Sequence, residues 1–256
     1  MADDINLKNR PSSQTKTPAT AGLQRDTAAR TAGVFLLLTA LATIAAVVGR
    51  VAADADQATL TESLVAISHA KGLYGIGGGA RLLSGITLIV AAWFLLTTWI
   101  IRLRLGTPVV PILFGASGLF TAVSGGCAVW LAVSVPDATD AISTFTQTIS
   151  TEQVADIRWL TGKIGFAVAG LALIVAARYQ WKVDGKLRRI SPLSAIIGIA
   201  MQFIWVDSAT FMHPINGTAF FLWLVVIGGM LMTGRVERHF SAMLDLPPES
   251  NAPNGA

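Results

Sequence analysis

Charged side chains are what this chain has least of: Asp, Glu, Lys and Arg make up 13% of it, against roughly 25% in a soluble domain. That excludes a surface wetted on all sides, and the hydrophobic share of 53% exceeds what a soluble core needs. Cysteine is nearly absent too. Cys127 stands alone, so there is no internal disulfide and no C-x-x-C metal or redox motif. Of the three histidines, His69, His213 and His239, none falls inside a long apolar run, which excludes a haem held by two histidines at membrane depth. No His, Asp or Glu cluster has the spacing of a metal site, and no G-x-S-x-G string supplies a serine nucleophile. These absences point to a protein of non-enzymatic type, with no cofactor and no metal.

What the chain has instead is six apolar runs: Thr31 to Val48, Leu82 to Ile101, Val109 to Val133, Trp159 to Ala177, Ile190 to Val206 and Pro214 to Gly234. A helix of about 20 residues crosses roughly 30 Å of hydrocarbon, so the expected fold is all-α, an integral membrane bundle of six transmembrane helices. The first run is preceded by a long polar stretch and followed by no A-x-A-like cleavage site, which reads as a retained helix rather than a signal peptide.

Basic residues set the orientation. Fourteen of the nineteen fall in the amino-terminal tail, the connections after the second and fourth runs, and the stretch after the sixth; Arg50, Lys71, Arg81, Arg158 and Lys163 fall on the other side. Lys and Arg stay with cytoplasmic loops, so both termini are expected in the cytoplasm of a bacterial inner membrane. Trp99 and Trp181 then lie at cytoplasmic ends, and Trp130, Trp159 and Trp205 at outer ends, as interfacial belts require. The net charge of +4 is spread over these loops rather than gathered in a groove, so the expected partners are the lipid bilayer and, beyond it, a membrane protein partner or a second copy, with no nucleic acid.

Residues 1–28 and 241–256 are rich in Pro, Ser, Thr and Asn without apolar periodicity and are expected to be disordered tails. They bracket a membrane domain over 29–240. Two outer connections carry amphipathic segments, near 57–70 and 139–157. The first contains a T-x-x-E capping box at Thr59 and Glu62, and the second a Ser150 and Gln153 pair.

An internal repeat is suggested by Leu-Ile-Val-Ala-Ala at 88–92 and again at 173–177. The loops that follow end alike, in Thr107-Pro108 and Ser191-Pro192, which reads as two N-caps each followed by Pro at the first helical position. A chance match in so Ala- and Leu-rich a chain is the alternative. A true repeat would be parallel, about an axis along the membrane normal. Small residues four apart, at Gly75 and Gly79, Gly118 and Ala122, and Gly165 and Ala169, suit close helix packing. The string Gly75-Ile76-Gly77-Gly78-Gly79-Ala80 lacks the flanking strand that a dinucleotide site needs.

Depth decides which polar residues matter. Lys163 precedes Arg178 by 15 residues, about 22 Å of helix, so one of the two must snorkel or sit in hydrocarbon at up to roughly 3 kcal/mol. A pair between Lys163 and Asp207 is the ordinary solution. The functional one is an outward-facing polar pocket formed by Arg81, Lys163, Asp207, His213 and Asn216, which would bind or pass a small solute or a lipid headgroup. An accessory or scaffold subunit of a larger membrane complex is the rival. Gln202, the amide inside the fifth run, is expected to bond another helix.

Overall fold

The computed structural model describes residues 26–55, 59–135, 149–183, 185–206 and 212–244. They are helical almost throughout: α1 (Thr27–Ala52), α2 (Leu60–His69), α3 (Lys71–Thr97), α4 (Trp99–Arg102), α5 (Val109–Ser134), α6 (Ile149–Lys182), α7 (Lys186–Ala200) running into a 3-10 turn (Met201–Trp205), α8 (Met212–Met232) and α9 (Arg235–Leu244). Six are long and apolar enough to cross a membrane, namely α1, α3, α5, α6, α7 with its 3-10 turn, and α8. These are the first to sixth spans below. The face that carries Asp26 and α9 is the terminal face, and the opposite one the far face.

The spans form a ring in chain order. α3 packs on both α1 and α5, α5 on α6, α6 on α7, and α8 lies against α1 and the 3-10 turn. Glycine sets the distance at most seams. A Cβ added to Gly33 would lie 2.6 Å from the carbonyl O of Gly228, one on Gly49 2.8 Å from Cα of Gly77, one on Gly85 2.5 Å from O of Gly118, and one on Gly170 2.7 Å from O of Gly198. Lipid tails are as apolar as Leu, so spans gain little by hiding side chains from them, and backbone-to-backbone packing supplies the attraction instead. Gly118, Ala122 and Gly165 take part in such seams, whereas Gly79 has nothing within 4 Å.

Several polar groups inside the ring are paired across helices. The hydroxyls of Thr39 and Thr87 meet at 2.9 Å and those of Thr43 and Ser84 at 2.8 Å, joining α1 to α3. Gln202 donates to the carbonyls of Ala167 in α6 and Gly198 in α7, at 3.0 and 3.2 Å. At the far face Thr59 and Glu62 close a reciprocal capping box on α2.

Three elements differ from expectation. Of the segment expected over 139–157, residues 139–148 lie outside the described residues, and 149–157 are the first turns of α6, whose 34 residues extend about 51 Å, rather than a separate surface helix. Ser191 is not an N-cap: α7 begins at Lys186 and contains Pro192. The Ser191 hydroxyl donates instead to the Ala177 carbonyl at 2.7 Å, while the proline, near the start of the helix, forfeits one backbone bond. Residues 241–244 belong to α9, an amphipathic helix whose Val236 and Phe240 are buried. Both copies of Leu-Ile-Val-Ala-Ala share one burial pattern, with Leu and both Ala buried and Ile and Val half-buried.

Candidate functional site

At the far face, Arg81 leaves α3 where its neighbours approach closely, and its guanidinium lies over Gly162 of α6. A Cβ at Gly162 would sit 2.7 Å from Arg81 Nη2 and 3.2 Å from Ser124 Oγ. Lys163, on the next residue of α6, is buried at 8% exposure. Its ammonium lies 3.8 Å from the centre of the Trp159 ring, four residues back along the same helix. Arg158 reaches the ring of Tyr74 at 6.0 Å, and its carbonyl accepts from Ser124 Oγ at 2.8 Å.

The Lys163 side chain runs back along α6 toward Trp159, about one turn or roughly 5 Å nearer the far face, the direction a snorkelling lysine takes. There the face of an exposed indole receives it. Asn216 is also buried, and its amide donates to the Ala200 carbonyl at 2.8 Å. That acceptor stands where α7 tightens into the 3-10 turn, so Asn216 acts as a clasp between the fifth and sixth spans. Asp207 lies outside the described residues, as does the side chain of His213. The structure therefore brings the Arg81 guanidinium of α3 beside Gly162, next to Lys163 of α6, with Asn216 engaged in a contact of its own.

The ring's interior holds a cavity of about 150 Å³ that borders the terminal face. Each span contributes to its wall: Leu36 of α1, Leu95 of α3, Phe114 of α5, Ala176 of α6, Leu187 of α7, and Trp223 and Ile227 of α8. Val236 and Phe240 of α9 complete it. Neither Arg81 nor Lys163 lines it. Side chains tie the wall together: Trp223 Nε1 donates to Ser194 Oγ at 2.8 Å, Ser194 donates to Gln180 Oε1 at 2.8 Å, and the Phe114 and Trp223 rings pack at a tilt with centroids 5.8 Å apart. A dry apolar cavity of about this size holds a benzene-sized molecule. Its wall can accommodate hydrocarbon but has few groups with which to do chemistry. Among the described residues no group of three or more His, Cys, Asp or Glu is placed to hold a metal.

Beside this chamber lies a polar latch. Asp26 caps α1, its Oδ1 accepting from Ala28 N–H at 2.9 Å, while its Oδ2 accepts from Trp99 N–H at 2.9 Å. Its own N–H donates to Glu237 Oε1 at 3.2 Å. Glu237 has no exposed surface, and its Oε2 has no hydrogen-bond partner. Burial pushes its carboxyl above the ordinary carboxylate range, and the Asp26 charge adds to this; the Asp26 N–H, Arg30 and Arg238 pull the other way.

Neither Glu237 nor Asp26 stood out in the sequence. The available signal was a Glu between Val236 and Phe240, on the apolar stripe of a short amphipathic helix.

The architecture supports a class, the helical membrane proteins with six membrane-spanning helices. Comparison with protein families, curated proteins and solved structures finds no match that would make the assignment narrower.

Proposed function

We propose that this chain is a multi-pass membrane protein of non-enzymatic type that binds or passes a small solute or lipid, with both termini in the cytoplasm of a bacterial inner membrane. The chamber carries this reading, because a cavity walled by all six spans is where a ring of helices can enclose a guest. Its apolar wall favours a guest with a hydrocarbon part. The far-face cations Arg81 and Lys163 would receive an anionic headgroup or solute at the outward end. Matching burial of the two Leu-Ile-Val-Ala-Ala segments supports descent of the second-to-third and fourth-to-fifth spans from one hairpin.

Native mass spectrometry of the gently extracted protein tests the reading. A bound mass is expected, and Ala176→Phe, which fills the chamber, is expected to remove it while the helical signal stays unchanged. A bound mass that survives this substitution, or none in the unaltered protein, refutes the chamber as the site.

One observation favours the accessory-subunit reading. Gly79 opens a notch among the exposed Ile76, Leu83 and Ile86 of α3, a shape that a partner helix can fill. Co-purification of a stoichiometric partner, lost on Gly79→Leu, would favour it.

A further inference from the structure

α9 is placed as a lid on the chamber. Gly234, with φ +68°, reverses the chain after α8, and its N–H and that of Thr233 close the helix end on Leu231 O and Gly229 O at 3.0 Å each. The short helix that follows lays Val236 and Phe240 into the chamber wall. Between them stands Glu237, fully buried, with one oxygen held by the Asp26 N–H and the other without a donor.

We propose that α9 is a proton-latched lid: it closes the chamber while Glu237 carries its proton and swings away when Glu237 ionises. This rests on the chamber being the binding site, and concerns how access to it is controlled.

The groups that face Glu237 decide the sign. Asp26 and Arg30 approach from α1, and Arg238 belongs to α9 itself. The Trp99 N–H of α4 is engaged by Asp26; His239 of α9 lies against Gly185, between α6 and α7. As an acid, Glu237 accepts the Asp26 N–H at Oε1 and leaves no charge in an apolar wall, an unpaired O–H costing less there than an unpaired charged oxygen. As a carboxylate it would feel the Asp26 charge, with no exposed surface and no donor to Oε2 among the described residues. Arg30 and Arg238 offset part of this and do not supply the missing hydrogen bond. Moving a helix of 10 residues into water relieves the whole penalty. The six spans need not rearrange.

Closure is therefore unaffected by pH below the ordinary carboxyl range, where both lid positions hold the proton, and weakens as pH rises through the higher value of the closed state.

The test is hydrogen exchange of residues 235–244 in the full-length protein in nanodiscs, corrected for intrinsic rates, from about pH 5 to about pH 8. Protection of α9 is expected to fall about tenfold for each unit by which the closed-state value exceeds the ordinary one, and in Glu237→Gln to stay constant. Asp26→Asn keeps the N–H and removes the neighbouring charge, so its transition should move to lower pH; that shift decides the matter if Glu237→Gln does not fold.

Constant protection in the unaltered protein overturns the latch, and so does a parallel fall in Glu237→Gln. The chamber is judged separately by bound mass. A lid that opens with pH over a chamber that binds nothing refutes the chamber and leaves the latch, while a filled chamber under a pH-independent lid does the reverse.

Discussion

The backbone N–H of Asp26 donates to Oε1 of Glu237 across 3.2 Å, joining residues 211 positions apart. Because the Asp26 carboxylate also receives the N–H groups of Ala28 and Trp99, one residue ties the starts of α1 and α4 to α9. The first prediction concerns its loss. Asp26→Ala removes both carboxylate contacts and should cost about 1 to 2 kcal/mol, the usual range for a helix cap. Thermal unfolding in detergent measures it, and faster exchange at the Ala28 and Trp99 amides should accompany it.

Glu237 should make global stability depend on pH. Its folded-state value lies above the ordinary one, so the folded form holds the proton more tightly, and stability falls as pH rises from the ordinary carboxyl range through that higher value. Glu237→Gln should remove this component from a plot of melting temperature against pH. A slope unchanged by the substitution would assign the effect to other groups.

Asn216 and Ala200 offer a test that separates clasp from ligand site. Asn216→Ala removes the side-chain donor to the part-buried Ala200 carbonyl, a loss of about 0.5 to 1.5 kcal/mol, the net worth of one such hydrogen bond. The destabilisation should be the same with and without added solute or lipid. A cost that appears only with ligand bound would make Asn216 a binding residue.

The glycines divide into two groups with opposite tolerances. Gly85→Val should destabilise by about 1 to 3 kcal/mol through overpacking, since even a Cβ would press on Gly118 O at 2.5 Å. Gly79→Ala, with open space around it, should be neutral or slightly stabilising. Equal effects at both positions would show that the α3–α5 seam is looser than its geometry.

A double-mutant cycle on Thr39 and Thr87 should return a coupling of about 0.6 kcal/mol, the average for hydrogen bonds between membrane helices. The value stays small because each hydroxyl has one proton, for which Leu83 O and Ser84 O compete at Thr87 and Phe35 O at Thr39. A coupling near 2 kcal/mol would instead make this pair a main fastening of the ring.

Much of the architecture was legible because hydrocarbon is an intolerant solvent. Six apolar runs could only be helices; Gln202 had to find a partner, and the Thr59 and Glu62 box carried its own signature. Lys163 posed a legible problem of depth, but the answer depended on a side-chain direction toward Trp159 that spacing alone did not select. The glycine seams were half visible. Small residues four apart identified Gly118 and Gly165, while Gly33 with Gly228 and Gly170 with Gly198 meet across chain distances that no local pattern encodes.

The latch was least legible, since residues 235–244 are short and polar in composition, and Glu237 becomes unusual only once Asp26 and the chamber surround it. Thr107 and Ser191 look alike in sequence but are used differently. Thr107 Oγ1 accepts from Val109 N–H at 3.3 Å, whereas Ser191 is drawn inward to α6.

The seams around the ring also differ in mechanical kind. Where glycine meets glycine, as between α1 and α3 or α6 and α7, the backbones are in contact and the helices behave as one stiff plate. Between α7 and α8 the connection is made by side chains, Trp223 to Ser194 and Asn216 to Ala200, which can release and re-form without unfolding either helix. That seam is fastened at points, by single hydrogen bonds, where the glycine seams are fastened along a surface.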